Sequence, residues 1–244
     1  MCTVSYIPVG DIFYITSNRD VKYNRMPAIP PASYTMPNGK LVFPRDADAG
    51  GSWIAMHENG NVAVLLNGAF EKHVSNPPYK KSRGVVFIEM LSDTRPANHL
   101  RRMDLNGIEP FTTILVDTDN LFECHWDGKL CHCRPLEKHM PYIWSSVTLY
   151  EKHVVDKRVR WFSEFLNENP DPARSDILHF HRFTGDEDVT NNLMMNRDGA
   201  YSTVSMTNIT LHRNKGIMKY IDLKNDIEYE THVEFISANE LTAI

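Results

Sequence analysis

The chain has 244 residues, 42% hydrophobic, 10% aromatic and 23% charged, with a formal net charge of −5. This composition supports one globular domain over residues 1–244 with a sizeable core, and it excludes a disulfide-stapled mini-domain. The acidic balance argues against a nucleic-acid partner, since basic residues cluster only at Lys80-Lys81-Ser82-Arg83 and Arg101-Arg102, which read as solvated helix-end charges; no run approaches the ~20 apolar residues of a membrane span.

The first informative residue is Cys2. If Met1 is removed, one residue carries both a nucleophilic thiol and an α-amino base of pKa ~8, the equipment of an N-terminal nucleophile. No basic leader or apolar signal core accompanies it, so a cytoplasmic location is expected. Residues 3–7 and 12–16 read as strands about the turn Pro8-Val9-Gly10-Asp11, a hairpin that returns Asn18-Arg19-Asp20 toward Cys2. Prolines 27, 30, 31, 37 and 44 predict a long ordered loop with little regular structure, either a lid or a passive surface excursion.

Residues 50–57 and 62–67 predict a hairpin around Glu58-Asn59-Gly60-Asn61, in a register that sets Ser52 opposite Asn67. Val62 to Leu66 is apolar at every position, which calls for cover on both faces although the pairing is antiparallel. Two stacked sheets with helices outside them would supply it.

Helices are predicted over 83–91 and from Pro96, strands over 112–116, 121–126 and 142–147, and a turn at Asp127-Gly128 leads into 129–133. That two-residue turn pairs Cys124 with Cys131 and puts Cys124, Cys131 and Cys133 on one face, with His125 and His132 on the other. Three thiolates lack a fourth ligand and match no common zinc pattern, so ordinary packing is expected and no metal; zinc or a disulfide is the lesser alternative. The span 151–166 reads as an amphipathic helix with Val155, Val159, Phe162 and Leu166 inward. Another helix is predicted over 173–183, where His179 and His181 point to different sides and make poor joint ligands. Asp186-Glu187-Asp188 reads as a solvated turn, and residues 201–211, 216–223 and 227–235 as a three-stranded antiparallel meander.

Met1-Cys2-Thr3, Thr16-Ser17-Asn18-Arg19-Asp20, Arg45-Asp46 leading to Gly50-Gly51-Ser52-Trp53-Ile54, and Gly60 through Leu66-Asn67 together resemble the NRDE family, also called the transport and Golgi organisation protein 2 family. The clear match covers the first seventy residues or so, and His125-Trp126-Asp127-Gly128 is a softer one. The resemblance implies an α+β fold, a four-layer αββα sandwich of two antiparallel sheets as in N-terminal nucleophile (Ntn) hydrolases. It also implies that Cys2 attacks an amide or ester carbonyl, that Arg19 holds or polarises the site, that Asp20 orients the α-amino group, and that Asn67 faces the developing oxyanion. Without it, Arg19 with Asp20 reads as a strand-end ion pair and Asn67-Gly68 as a turn.

The chain departs from the family pattern at Val21, where glutamate is common, at Ser146, where the pattern leads to asparagine, and at Tyr201, where it leads to arginine. Two functions remain open. One is a cytoplasmic N-terminal-cysteine amidohydrolase acting on a small acyl amide or related conjugate, without a cofactor. The other is a non-catalytic binding or trafficking protein of the same fold, handling haem or an acyl lipid. Substrate identity and oligomeric state are not legible in the sequence.

Overall fold

The computed structural model describes residues 3–22, 24–117 and 119–236; Cys2 lies outside the described residues. The first hairpin joins β1 (Thr3–Val9) to β2 (Ile12–Lys22). The turn is shorter than expected: Val9 pairs with Ile12, so only Gly10 and Asp11 lie between, with Gly10 at φ 55°. Positive φ suits glycine in a two-residue hairpin turn.

Residues 27–44 are not a loop with little regular structure, which removes both the lid and the passive excursion. They form β3 (Ile29–Met36) and β4 (Gly39–Arg45), paired antiparallel. The prolines misled because they sit where a sheet tolerates them: β3 is an edge strand, and Pro30-Pro31 fall in the register irregularity between Ile29 and Ala32.

β5 (Ile54–His57) and β6 (Val62–Asn67) form the expected hairpin, with every residue from Val62 to Leu66 buried. Its register is Ile54 to Val64, one residue away from the one expected, and Asn67 pairs with Phe111 on the other side instead of facing Ser52. Helices α1 (Arg83–Leu91) and α2 (Pro96–Leu100) fall where predicted; Ser82 caps α1 by accepting from the Val85 amide at 3.3 Å.

β7 (Phe111–Val116), β8 (Leu121–Trp126) and β9 (Cys131–Leu136) complete one seven-stranded antiparallel sheet, ordered β3-β4-β5-β6-β7-β8-β9. The β8–β9 turn is longer than two residues: Trp126 pairs with Cys131 and Cys124 with Cys133, and the latter two are joined as a disulfide. This corrects both the Cys124 to Cys131 pairing and the expectation of simple packing. Because the register moved by two residues, the three sulfurs still share a face, with Cys131 Sγ 3.7 Å from Cys133 Sγ.

The second sheet is built from β10 (Tyr142–Ser145), β1, β2, β12 (Tyr201–His212), β13 (Lys215–Asp222) and β14 (Ile227–Glu234), with β11 (Asn196–Arg197) on β12. β12 to β14 are the expected meander. The main apolar core lies between the two sheets and under α1 and α2, and a second one, including Ile7, Tyr14, Phe162, Ile177 and Phe180, lies beneath α3 (Lys152–Glu168) and α4 (Arg174–Phe183). The layers therefore run helix, sheet, sheet, helix.

α3 presents a different stripe from the one expected. Val154, Arg158 and Phe162 are buried, whereas Val159 is 44% exposed. An arginine interrupts the apolar pattern, and the helix turns inward on the face that carries it.

Candidate active site

β2 belongs to both cores, and alternation sends its side chains in opposite directions. Ile15 faces the inter-sheet core, while Tyr14 packs with α3 and α4. Arg19 and Asp20, adjacent in sequence, therefore diverge.

Arg19 is 3% exposed, forms an ion pair with Asp46, and lies 4.1 Å over the Trp53 ring. Its partner is thus not Asp20, which removes the strand-end pair as an explanation. Asp46 also takes a two-pronged bond from Arg25, Nε and Nη2 each at 2.8 Å, and accepts from the amides of Asp48 and Ala49. Burial pushes the Asp46 carboxyl up, but the Arg25 bonds, the Ala49 amide and the Arg19 charge outweigh it and hold it below the usual carboxylate range. Burial first, and then the Arg25 charge, pull the Arg19 guanidinium down from its ordinary value, partly restored by Asp46; it stays charged.

This cluster borders a cavity of about 160 Å³ whose wall includes Arg19, Val21, Arg25, Asp46, Ser52, Trp53, Asn67 and the α1 start at Ser82, Arg83 and Gly84. The loop between β4 and β5 meets α1 through two glycines: a Cβ on Gly51 would overlap the Gly84 backbone, and the Ser52 amide donates to the Gly84 carbonyl at 3.2 Å. That close approach explains Gly51 and Gly84, while Gly50 is needed for its positive φ of 72°. Ser52 Oγ donates to the Pro44 carbonyl at 2.7 Å, tying the loop to β4. Asn67 ends β6 half-buried, and its carbonyl accepts from Ser146 Oγ at 2.7 Å, so the serine at the expected asparagine position supports the backbone of Asn67. Arg83, read from sequence as a solvated charge, is instead half-buried, with Nη2 3.0 Å from Glu109.

On the other face of β2, Asp20 accepts from Tyr150 Oη at 2.7 Å and from Thr203 Oγ1. The Tyr150 ring stacks under Arg158 at 3.6 Å. Arg158 has no exposed surface and donates to Thr3 Oγ1 and to the carbonyls of Asn191 and Asn192. Beside it lies a second buried set. Asn18 Nδ2 donates to the carbonyls of His181 and Leu193, so its Oδ1 must accept the Nδ1 proton of His181, and Nε2 accepts from Ser5 Oγ at 2.7 Å. Burial first, then the Arg158 charge, push the His181 pKa down to about 3, keeping the ring neutral.

Of the residues expected at the site, Arg19 and Asn67 line one cavity, Asp20 lies on the opposite face of β2, and Cys2 falls outside the described residues. Sequence reasoning missed Arg25, Arg83, Tyr150, Arg158 and Thr203 as members of these networks. Only the Gly51-Ser52-Trp53 run carried a local signal for its part. Among the described residues no cluster of three or more His, Cys, Asp or Glu is arranged to hold a metal ion, and no helix is long and apolar enough to cross a membrane.

Similarity in three dimensions supports the sandwich reading. The chain superposes on the Caenorhabditis elegans N-acylethanolamine-hydrolyzing acid amidase (NAAA) ortholog with TM-score 0.60 at 12% identity, covering 85% of this chain and 92% of that one. It also superposes on a cysteine-to-alanine mutant of the conjugated bile acid hydrolase from Clostridium perfringens, with TM-score 0.57 at 12% identity over 98% and 93% of the two chains. An arginine-to-leucine variant of that hydrolase matches at TM-score 0.57 and 11% identity. At such identities the likeness establishes a shared Ntn-hydrolase-like fold. No curated protein matches the sequence. The family model described as Transport and Golgi organisation 2 matches residues 10–224, and the chain belongs to that family.

Proposed function

We infer that the chain is an N-terminal-cysteine amidohydrolase acting on a small acyl amide or related conjugate, with Cys2 as nucleophile once it is the terminal residue. The observation that carries this reading is a convergence at the end of β2. Thr3, which follows Cys2 in sequence, pairs with Asn18, and the next residue, Arg19, lines the same cavity as Asn67. The relatives in fold are named for hydrolysis of N-acylethanolamines and of conjugated bile acids.

In this reading the α-amino group takes the thiol proton and the thiolate attacks the carbonyl carbon. The tetrahedral oxyanion collapses to a thioester as the amine leaves with that proton, and water then releases the acid. Asn67 is the candidate oxyanion donor. Arg19, fixed by Asp46 and Trp53, supplies the positive charge that favours a thiolate. Asp20, anchored by Tyr150 and Thr203, is a positioning residue for the amine and is not part of the cavity wall.

One observation favours the non-catalytic alternative, a binding or trafficking protein for haem or an acyl lipid. Val21 lines the cavity where the family pattern leads to glutamate, so an expected charge is missing from the wall. Intact mass with and without a thiol-directed acyl probe separates the two readings. The hydrolase reading expects loss of Met1 and a single adduct that Cys2→Ala abolishes. Retained Met1, or an adduct on Cys131, overturns it and leaves the binding reading.

A further inference from the structure

Cys124, Cys131 and Cys133 meet at one end of the sheet that runs from β3 to β9. β9 is its last strand, and there Cys131 and Cys133 are half-buried, whereas Cys124 on β8 has no exposed surface. Cys124 and Cys133 are joined, and Cys131 keeps its thiol, with Sγ 3.7 Å from Cys133 Sγ. A free thiol in contact with a disulfide is the arrangement from which exchange starts.

Arg101 ties this sulfur cluster to a basic groove. Its Nη2 donates to the Cys133 carbonyl at 3.3 Å, and it lines an open cavity of about 620 Å³ with Arg95, Arg102, Asn98, Thr94 and Asp93. Arg101 also donates to Asn98 Oδ1, and Arg102 donates to the Asn98 carbonyl. Asp93, the single carboxylate of the wall, accepts from the Arg95 amide and lies 3.5 Å from His99. Among the described residues no carboxylate forms an ion pair with any of these three guanidinium groups, and all three arginines are exposed. Such a groove raises the local concentration of an anion.

We propose that the three cysteines form a thiol–disulfide exchange site at which an anionic low-molecular-weight thiol becomes bound to Cys131, with Arg101 as its recognition residue. The incoming thiolate attacks Cys133 Sγ, because Cys124 is sealed. A bond forms from that sulfur to Cys133, the Cys124–Cys133 bond breaks, and Cys124 takes up the proton that the incoming thiol released. With two cysteines alone, Cys124 would attack Cys133 again and expel the newcomer. The third prevents this: the outer sulfur, one bond of about 2 Å from Cys133 Sγ, lies within reach of Cys131. Cys131 gives its proton to water and attacks the outer sulfur, and Cys133 leaves as a thiolate that water protonates. One disulfide bond exists before and after, so no external oxidant or reductant is consumed. Burial pushes the Cys131 thiol up, Arg101 pulls it down and Asp127 adds to the burial. A thiol held above its ordinary pKa is a poor leaving group, which retains the adduct. Cys2 takes no part, so this site stands or falls apart from the hydrolase reading.

The test uses the full chain carrying Cys2→Ala, oxidised at Cys124 and Cys133, with stoichiometric mercaptosuccinate and no other reductant. Peptide mapping after an acid quench is expected to place one mercaptosuccinyl group on Cys131 and free thiols at Cys124 and Cys133. Cys131→Ser and Cys131→Ala should each retain about 10-fold less adduct or lower still, because intramolecular closure by Cys124 then wins. Arg101→Gln should slow the reaction of mercaptosuccinate about 5-fold and leave that of the cationic thiol cysteamine unslowed. An adduct that stays on Cys133, or equal yield in either folded Cys131 variant, overturns the exchange site. Equal slowing of both thiols by Arg101→Gln overturns the recognition of an anion.

Discussion

The two faces of β2 handle buried polarity in opposite ways. On the helix side, Asn18 and Asp20 enter a sealed set in which Arg158, His181, Tyr150, Ser5 and Thr3 bond to one another and to main-chain carbonyls. On the inter-sheet side, Arg19 enters a set that opens on a cavity. Neighbouring residues of one strand thus serve two purposes. A closed network fixes the position of β1 and β2, because each buried polar group has a partner and any displacement costs bonds. An open one keeps capacity for a ligand. Fixing the strand from behind is what makes the front face a defined site.

The largest expected effect breaks the sealed face. Arg158→Met should destabilise the fold by about 3 kcal/mol or more, since a hydroxyl and two carbonyls each lose a donor at about 1–3 kcal/mol. Urea denaturation would measure it, and a loss below about 1 kcal/mol would show that the network is not what anchors β1.

The open face should respond in function instead. If turnover of any acyl substrate is found, Asn67→Ala should lower it by about 10²-fold or more with little change in substrate affinity. Its stability cost should stay near ~1 kcal/mol, because the bond from Ser146 reaches the Asn67 carbonyl, which the substitution keeps. A folded variant with unaltered turnover removes Asn67 from the site.

The smallest effect sharpens the contrast through pH. His181 is neutral in the fold, with its pKa near 3, but takes up a proton below about 6.5 when unfolded. The unfolded state then binds more protons, so stability rises with pH in this window and is lost as pH falls through it. Between about pH 7.5 and 5.5 the loss should be about 1.4 kcal/mol. Burial lowers the pKa of His57 as well, so the contribution of His181 is the difference between the wild-type pH curve and that of His181→Gln. Superimposable curves would show that His181 titrates alike in the folded and unfolded chain, against a buried neutral ring.

Much of this was legible in residue order. The unbroken apolar run from Val62 to Leu66 required cover on both faces, and that requirement fixed stacked sheets; the helices from Arg83 and Pro96 and the C-terminal meander followed from caps and alternation. Prolines hid β3, an edge strand that tolerates residues a central one excludes, and β4, where Pro44 falls at the register irregularity opposite Pro30-Pro31. The resemblance carried Arg19 and Asn67 to a common cavity.

The local pattern of the chain determined its elements, since period, turn residues and caps act over a few positions. Only the tertiary structure decided the partners of its charges. Arg19 chose Asp46 over the adjacent Asp20, Arg158 turned into the core although its helix reads as polar there, and Cys124 met Cys133 through a longer turn. Each of those outcomes depends on which face of a neighbouring element supplies a counter-charge, a carbonyl or a sulfur. That is a property of packing across long sequence separations, which no window of neighbouring residues contains.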